Sequence, residues 1–113
     1  MIKTIRQILT SATGLDVKPF DTNTISDCIC YTYYTLEDDG AKAKQKLELR
    51  LITTTSESAE VNKQKIIEAL VNTGDNTTIN GIYNCDLNGG GQLKEYSTNT
   101  IHTLLYFDII TRS

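Results

Sequence analysis

The chain has 113 residues, 39% of them hydrophobic and 22% charged, with a single proline; this is a globular composition that sets aside disordered, fibrous and low-complexity classes. A formal net charge of -3 with scattered Lys and Arg leaves no basic stripe of the kind a free-standing nucleic-acid binder needs. Lys3 and Arg6 interrupt the apolar residues at the start, so no signal peptide is expected, and no stretch approaches membrane-spanning length, which predicts synthesis and retention in a cytoplasm.

At this length a single domain over residues 1–113 is expected, with one helix-on-sheet core. Ile2, Ile5, Ile8, Leu9 and Ala12 recur at helical spacing with Lys3, Arg6 and Gln7 on the other side, and Gly14 is placed to end the helix. Residues 15–26, with Pro19 and the Asp21-Thr22-Asn23 cluster, read as a connecting loop with room for a short extended piece. The tyrosine-rich run 28–36 predicts a strand, with Cys28, Cys30, Thr32 and Tyr34 on one face and Ile29, Tyr31, Tyr33 and Thr35 on the other. Glu37-Asp38-Asp39-Gly40 is a turn signal, so this strand pairs antiparallel with residues 42–54. Both strands turn polar toward the tip, which predicts an extended hairpin reaching past the helix layer as an arm.

Residues 46–52, Lys-Leu-Glu-Leu-Arg-Leu-Ile, alternate charged and apolar side chains and then pass through three threonines and a serine into an amphipathic helix over residues 59–71. A switch from period 2 to period 3.6 predicts a half-buried strand feeding a helix laid across the sheet. Thr54 with Glu57 fits a capping box, with Ser56 or Ser58 as alternative caps, and Gly74 is the expected residue just past the helix. Ala59, Ile66, Ile67 and Leu70 form the apolar face. Residues 75–80 read as polar loop, and Ile79, Gly81, Tyr83, Cys85 and Leu87 alternate as a strand. Gly89-Gly90-Gly91 then breaks the chain as a flexible hairpin loop before a further strand at residues 92–96. It is not a phosphate cradle, which needs a helix N-terminus after it. The last strand, residues 101–111, sets Thr103, Leu105, Phe107 and Ile109 against His102, Leu104, Tyr106, Asp108 and Ile110, so large apolar residues lie on both faces. That predicts a central strand or a subunit contact.

The expected fold class is α+β: an antiparallel sheet with two helices packed on one face, in the order α-β-β-α-β-β-β. Chemistry is sparse. His102 has no catalytic motif beside it and reads as structural. Asp38 and Asp39 sit at an exposed turn where nothing raises a carboxyl pKa. Cys28, Cys30 and Cys85 are odd in number, and Cys-x-Cys lacks the spacer of a zinc knuckle, so they read as core packing. No catalytic residue, cofactor or metal is expected. Six tyrosines without tryptophan suit protein contacts that are partly apolar and partly wet.

Taken whole, this order resembles the tail terminator and tail-completion proteins of long-tailed bacteriophages and prophages. The matching residues are 46–54, 59–70 and 101–112, framed by the helix at 1–13. The resemblance implies a non-enzymatic virion tail protein, made in the host bacterial cytoplasm. Its copies form a ring, typically a hexamer, on the tail tube protein, end tail polymerisation and meet a head-tail connector protein. A closed ring needs a heterologous interface. The hairpin arm (Glu37, Asp38, Asp39, Gly40, Lys42, Lys44 and Lys46) and the C-terminal strand (Leu104, Tyr106 and Ile110) are the candidate contacts. An acidic subunit could line a lumen through which genome DNA passes without specific binding, and no membrane is involved. Two alternatives stand beside this one: another head-tail connector such as a head-completion or stopper protein, and a small-molecule-binding or enzymatic domain with a polar pocket around His102 and Tyr106.

Overall fold

The computed structural model describes residues 2–19, 26–71 and 81–112. In chain order the elements are α1 (Ile2–Thr13), β1 (Asp16–Pro19), β2 (Cys28–Asp38), β3 (Lys42–Thr53), α2 (Ser56–Leu70), β4 (Ile82–Glu95) and β5 (Thr100–Arg112). Among the described residues the strands form one mixed sheet in the order β1-β2-β3-β5-β4, antiparallel except where β1 runs parallel to β2. Period-2 burial follows from the alternation read in the sequence. Leu47, Leu49 and Leu51 of β3 face the same side as Ile29 of β2 and Leu105 and Phe107 of β5. Both helices cover that face. Ile5 and Leu9 of α1 and Ile66 and Leu70 of α2 close the core over these strands. Complete burial of each such aliphatic side chain contributes roughly 1.5–3 kcal/mol.

The α+β class, the two helices on one face and the long first hairpin are as the sequence predicts. Several details differ for physical reasons. The short extended piece allowed between residues 15 and 26 is β1, which makes the sheet mixed. The triple glycine is not a hairpin loop. Gly89, Gly90 and Gly91 lie inside β4, so one strand stands where two were expected, and the register with β5 shifts between Leu87 and Gly90. Gly89 and Gly90 take φ of +103° and +149°, and a Cβ on Gly90 would overlap the Leu104 carbonyl oxygen. This is a bulge that only glycine can form.

Thr55, in extended conformation with φ -133° and ψ 154°, caps α2 by accepting from the Ser58 amide at 3.1 Å. Thr54, Ser56 and Ser58 therefore do not cap it. Instead the Thr54 amide and hydroxyl donate to Asp27 Oδ1 at 3.0 and 3.2 Å, and the Ser58 hydroxyl donates to Asp27 Oδ2 at 2.7 Å. Asp27 thus ties the start of β2 to the first turn of α2. Asn62, a polar residue within the apolar stripe, is buried because its amide donates to the Ser58 carbonyl and hydroxyl at 3.0 and 3.1 Å. Gly14 ends α1 as expected, at φ +72° with its amide on the Thr10 carbonyl at 2.8 Å. The expectations for Asp21, Thr22, Asn23, Gly74, Ile79 and the loop at 75–80 lie outside the described residues.

Candidate assembly surface

The hairpin end collects the charged residues that the sequence singles out. Glu37, Asp38, Asp39, Gly40, Lys42 and Lys44 are exposed, while Lys46 is half-buried. The two aspartates are occupied in building the turn. Asp38 Oδ1 accepts from the Gly40 amide at 2.9 Å, and Asp39 Oδ1 accepts from the amides of Ala41 and Lys42 at 2.9 and 2.7 Å. Those amide bonds, the one from Lys42 foremost, hold the Asp39 carboxyl below its usual range. Gly40, at φ +91°, completes the reversal. The ribbon is long, but it is no free arm on its β3 side. Lys42 to Lys46 pair with Arg112 to Asp108 of β5, so the return strand is embedded in the sheet to its tip. Its burial of Ala43 and Gln45 follows from that pairing.

Leu104, Tyr106 and Ile110 share the sheet face turned away from the helices, each half-buried. Alternation in β5 therefore separates a core set, Leu105, Phe107 and Ile109, from these three. Their face is a mixed surface. Lys46 Nζ lies 3.3 Å from Asp108 Oδ1 and 5.7 Å above the Tyr106 ring. Asn88 donates to the other Asp108 oxygen at 2.6 Å, and this bond, ahead of the Lys46 contact, lowers the Asp108 pKa. The Tyr34 hydroxyl donates to Glu48 at 3.2 Å. Between these groups runs an open groove of about 270 Å³ lined by Cys30, Thr32, Glu48, Arg50, Leu104 and Tyr106, among others. The structure thus brings the three β5 candidates together with Lys46, and sets Glu37, Asp38 and Asp39 apart on the β2 side of the tip.

His102 is 2% exposed and does not line that groove. Its Nδ1 lies 2.9 Å from Arg50 Nη1 and its Nε2 lies 3.0 Å from Thr100 Oγ1. A guanidinium can only donate, so Nδ1 accepts and the proton sits on Nε2, facing the threonine. Burial first, and the Arg50 charge second, lower the imidazole pKa and keep the ring neutral. With both nitrogens committed, the ring presents no lone pair to a substrate. The Arg50 and His102 pairing was not legible in sequence, since 52 residues separate the two. Cys28, Cys30 and Cys85 are buried thiols, and burial pushes Cys85 up to about 12. Among the described residues, no group of three or more His, Cys, Asp or Glu is placed to hold a metal ion. Among them, too, no helix is long and apolar enough to cross a membrane.

Comparison with solved structures finds this fold in a virion. Over 96% of this chain and 92% of the other, with a TM-score of 0.70 and 14% sequence identity, the structure matches a chain of the virion of a native gene transfer agent particle. At that identity the likeness is one of fold. No family model matches the sequence, and no curated protein matches it.

Proposed function

We propose that the chain is a structural protein of a phage-like virion, and that it acts as a tail terminator. In this reading its copies form a ring, six as the resemblance implies, on the end of the tail tube. The ring stops polymerisation of the tube protein and presents a surface to a head-tail connector protein. The observation that carries the reading is the likeness of almost the whole chain to a chain of a gene transfer agent virion. Two features support it. The polar hairpin end and the open face with Leu104, Tyr106 and Ile110 offer two chemically distinct contact regions. His102, the one histidine of the sequence, is used internally. An acidic subunit suits a lumen that lets DNA pass without holding it.

Purified protein mixed separately with isolated tail tubes and with portal complexes tests this reading by electron microscopy. Density capping the tube ends is expected. Binding to portal complexes with bare tube ends would instead make the chain a head-completion or stopper protein.

A further inference from the structure

β5 carries large apolar side chains on both faces of the sheet, and the helices cover one of them. Leu105, Phe107 and Ile109 are buried in the core with α1 and α2, whereas Leu104, Tyr106 and Ile110 stay half-buried on the other side. The register sets this open face out in rows: Leu104 beside Arg50, Tyr106 beside Glu48, Asp108 beside Lys46 and Ile110 beside Lys44. Successive rows are two residues, or about 7 Å, apart. Lys44, Lys46 and Arg50, joined past the last row by Lys42 and Arg112, outweigh Glu48 and Asp108, so the strip made by β3 and β5 is basic. Within it Lys46 is paired with Asp108, and Glu48 accepts from the Tyr34 hydroxyl. Arg50 is different. It is half-buried at the wall of the groove, and among the described residues its guanidinium meets the neutral His102 ring and no carboxylate. Its remaining N–H donors suit an acid brought by a partner.

The outer side of α2 has the reciprocal pattern. Ala59, Asn62, Ile66 and Leu70 are its buried face, and Glu57, Val61, Gln64, Lys65 and Glu68 on the far side are all exposed. Val61, 48% exposed, is a large apolar residue in the middle of a mostly acidic surface. Glu57, Val61 and Lys65 follow one another every four residues, about 6 Å of helix rise, which is close to the row spacing of the open face. Glu57 set on Arg50 therefore puts Val61 over Tyr106 and Leu104, Lys65 at Asp108, and Glu68 between Lys46 and Lys44. Acid meets base, base meets acid and apolar meets apolar along the whole stripe. With the helix reversed, so that Glu68 sits on Arg50, Val61 would fall toward the Lys46 and Asp108 ion pair instead. A helix is about 10 Å wide, two strand spacings, so α2 covers β3 and β5 together.

We infer that copies of this chain join head to tail by laying the outer side of α2 of one copy along β3 and β5 on the open sheet face of the next, with Glu57 at Arg50, Val61 at Leu104 and Tyr106, and Lys65 at Asp108. This rests on the ring reading above. The two surfaces lie on opposite sides of one subunit, so each copy has one of each to offer, as the heterologous interface of a ring requires.

Carbodiimide coupling of the unaltered chain in purified virus particles tests it, because that reagent joins only carboxylates and amines already in contact. Peptide mass spectrometry is expected to find Lys65 joined to Asp108, and Glu68 joined to Lys44 or Lys46. Within one copy these partners lie on opposite sides of the sheet, so such bonds can form only between copies. A second measurement uses particles carrying Val61→Cys with Tyr106→Cys, positions that the sheet and α2 itself keep apart within a chain, beyond the reach of a disulfide. The native cysteines are buried, so they leave the readout clean. Mildly oxidised and separated without reductant, V61C/Y106C is expected to give a ladder of cross-linked multiples ending at the closed ring, and V61C alone or Y106C alone to give none. Unaltered particles that yield no bond from α2 to β3 or β5, or bonds from these residues only to another virion protein, would overturn the pairing while leaving the ring reading in place. Absence of the unaltered chain from purified particles would overturn the ring reading, and the pairing with it.

Discussion

Replacing each of the three consecutive glycines by alanine separates a bulged strand from a loop. At Gly90 a Cβ would overlap the Leu104 carbonyl oxygen and come within 3.2 Å of its carbon, and φ is +149°. The clashing atoms are backbone of β5, which is held by β3 on its far side, so they cannot retreat. Overpacking costs about 1–3 kcal/mol, and a backbone conformation foreign to L residues adds roughly 1–2 kcal/mol. At Gly89 the nearest atom is Tyr106 Cδ2 at 3.3 Å, a side chain that can shift, with φ +103°. The expected cost there is about 1–2 kcal/mol. At Gly91 nothing lies within 4 Å and φ is ordinary, so alanine is neutral or gains about 0.5 kcal/mol through the unfolded state. With roughly 4–8 °C per kcal/mol for a domain near this size, G90A should melt about 8 °C or more below G91A, with G89A between them. Thermal unfolding followed by circular dichroism measures this. Melting of G90A within about 3 °C of G91A would mean that the chain is not threaded along β5 here, as a flexible loop would allow.

His102 should make stability depend on pH. Its folded-state pKa lies below the ordinary value of 6.5, so the unfolded chain binds more protons than the folded one as the pH falls through that value. Stability is therefore full above the unfolded pKa and is lost as the pH drops through 6.5 toward the lowered folded pKa. Denaturant midpoints at pH 8 and pH 5.5 measure it, and H102Q should flatten that part of the curve; an equal drop in H102Q would assign it to other groups. Asp27→Ala should cost about 1–2 kcal/mol by releasing the Thr54 and Ser58 donors at the start of α2. Asp27→Asn should lose less, because one acceptor oxygen remains. Urea unfolding checks this pair, and an unchanged midpoint for D27A would dismiss the tie.

Local patterns carried much of the fold. The alternation of residues 46–52 and of the last strand marks faces that the registers reproduce, down to the split of Leu105, Phe107 and Ile109 from Leu104, Tyr106 and Ile110. Helix spacing placed Ile5, Leu9, Ile66 and Leu70 in the core. What was missed depends on partners distant in sequence. β1 is four residues long and ends in proline, and only its parallel pairing with β2 makes it a strand. Three glycines in a row signal a break, yet thirteen residues of β5 template the strand through them and leave the irregularity as a bulge. The pairing of half-buried Arg50 with buried His102 and the Asp27, Ser58 and Asn62 network arise where separate elements meet, and no local periodicity announces such contacts. Of the candidate contacts, the β5 residues were legible as an apolar face. That Asp38 and Asp39 spend their carboxylates on turn amides was visible only in three dimensions.

Electron microscopy of particles assembled without this chain addresses the central claim most directly. Tails that run far past their normal length and lack heads are the predicted result. Tails of normal length joined to full heads would contradict it.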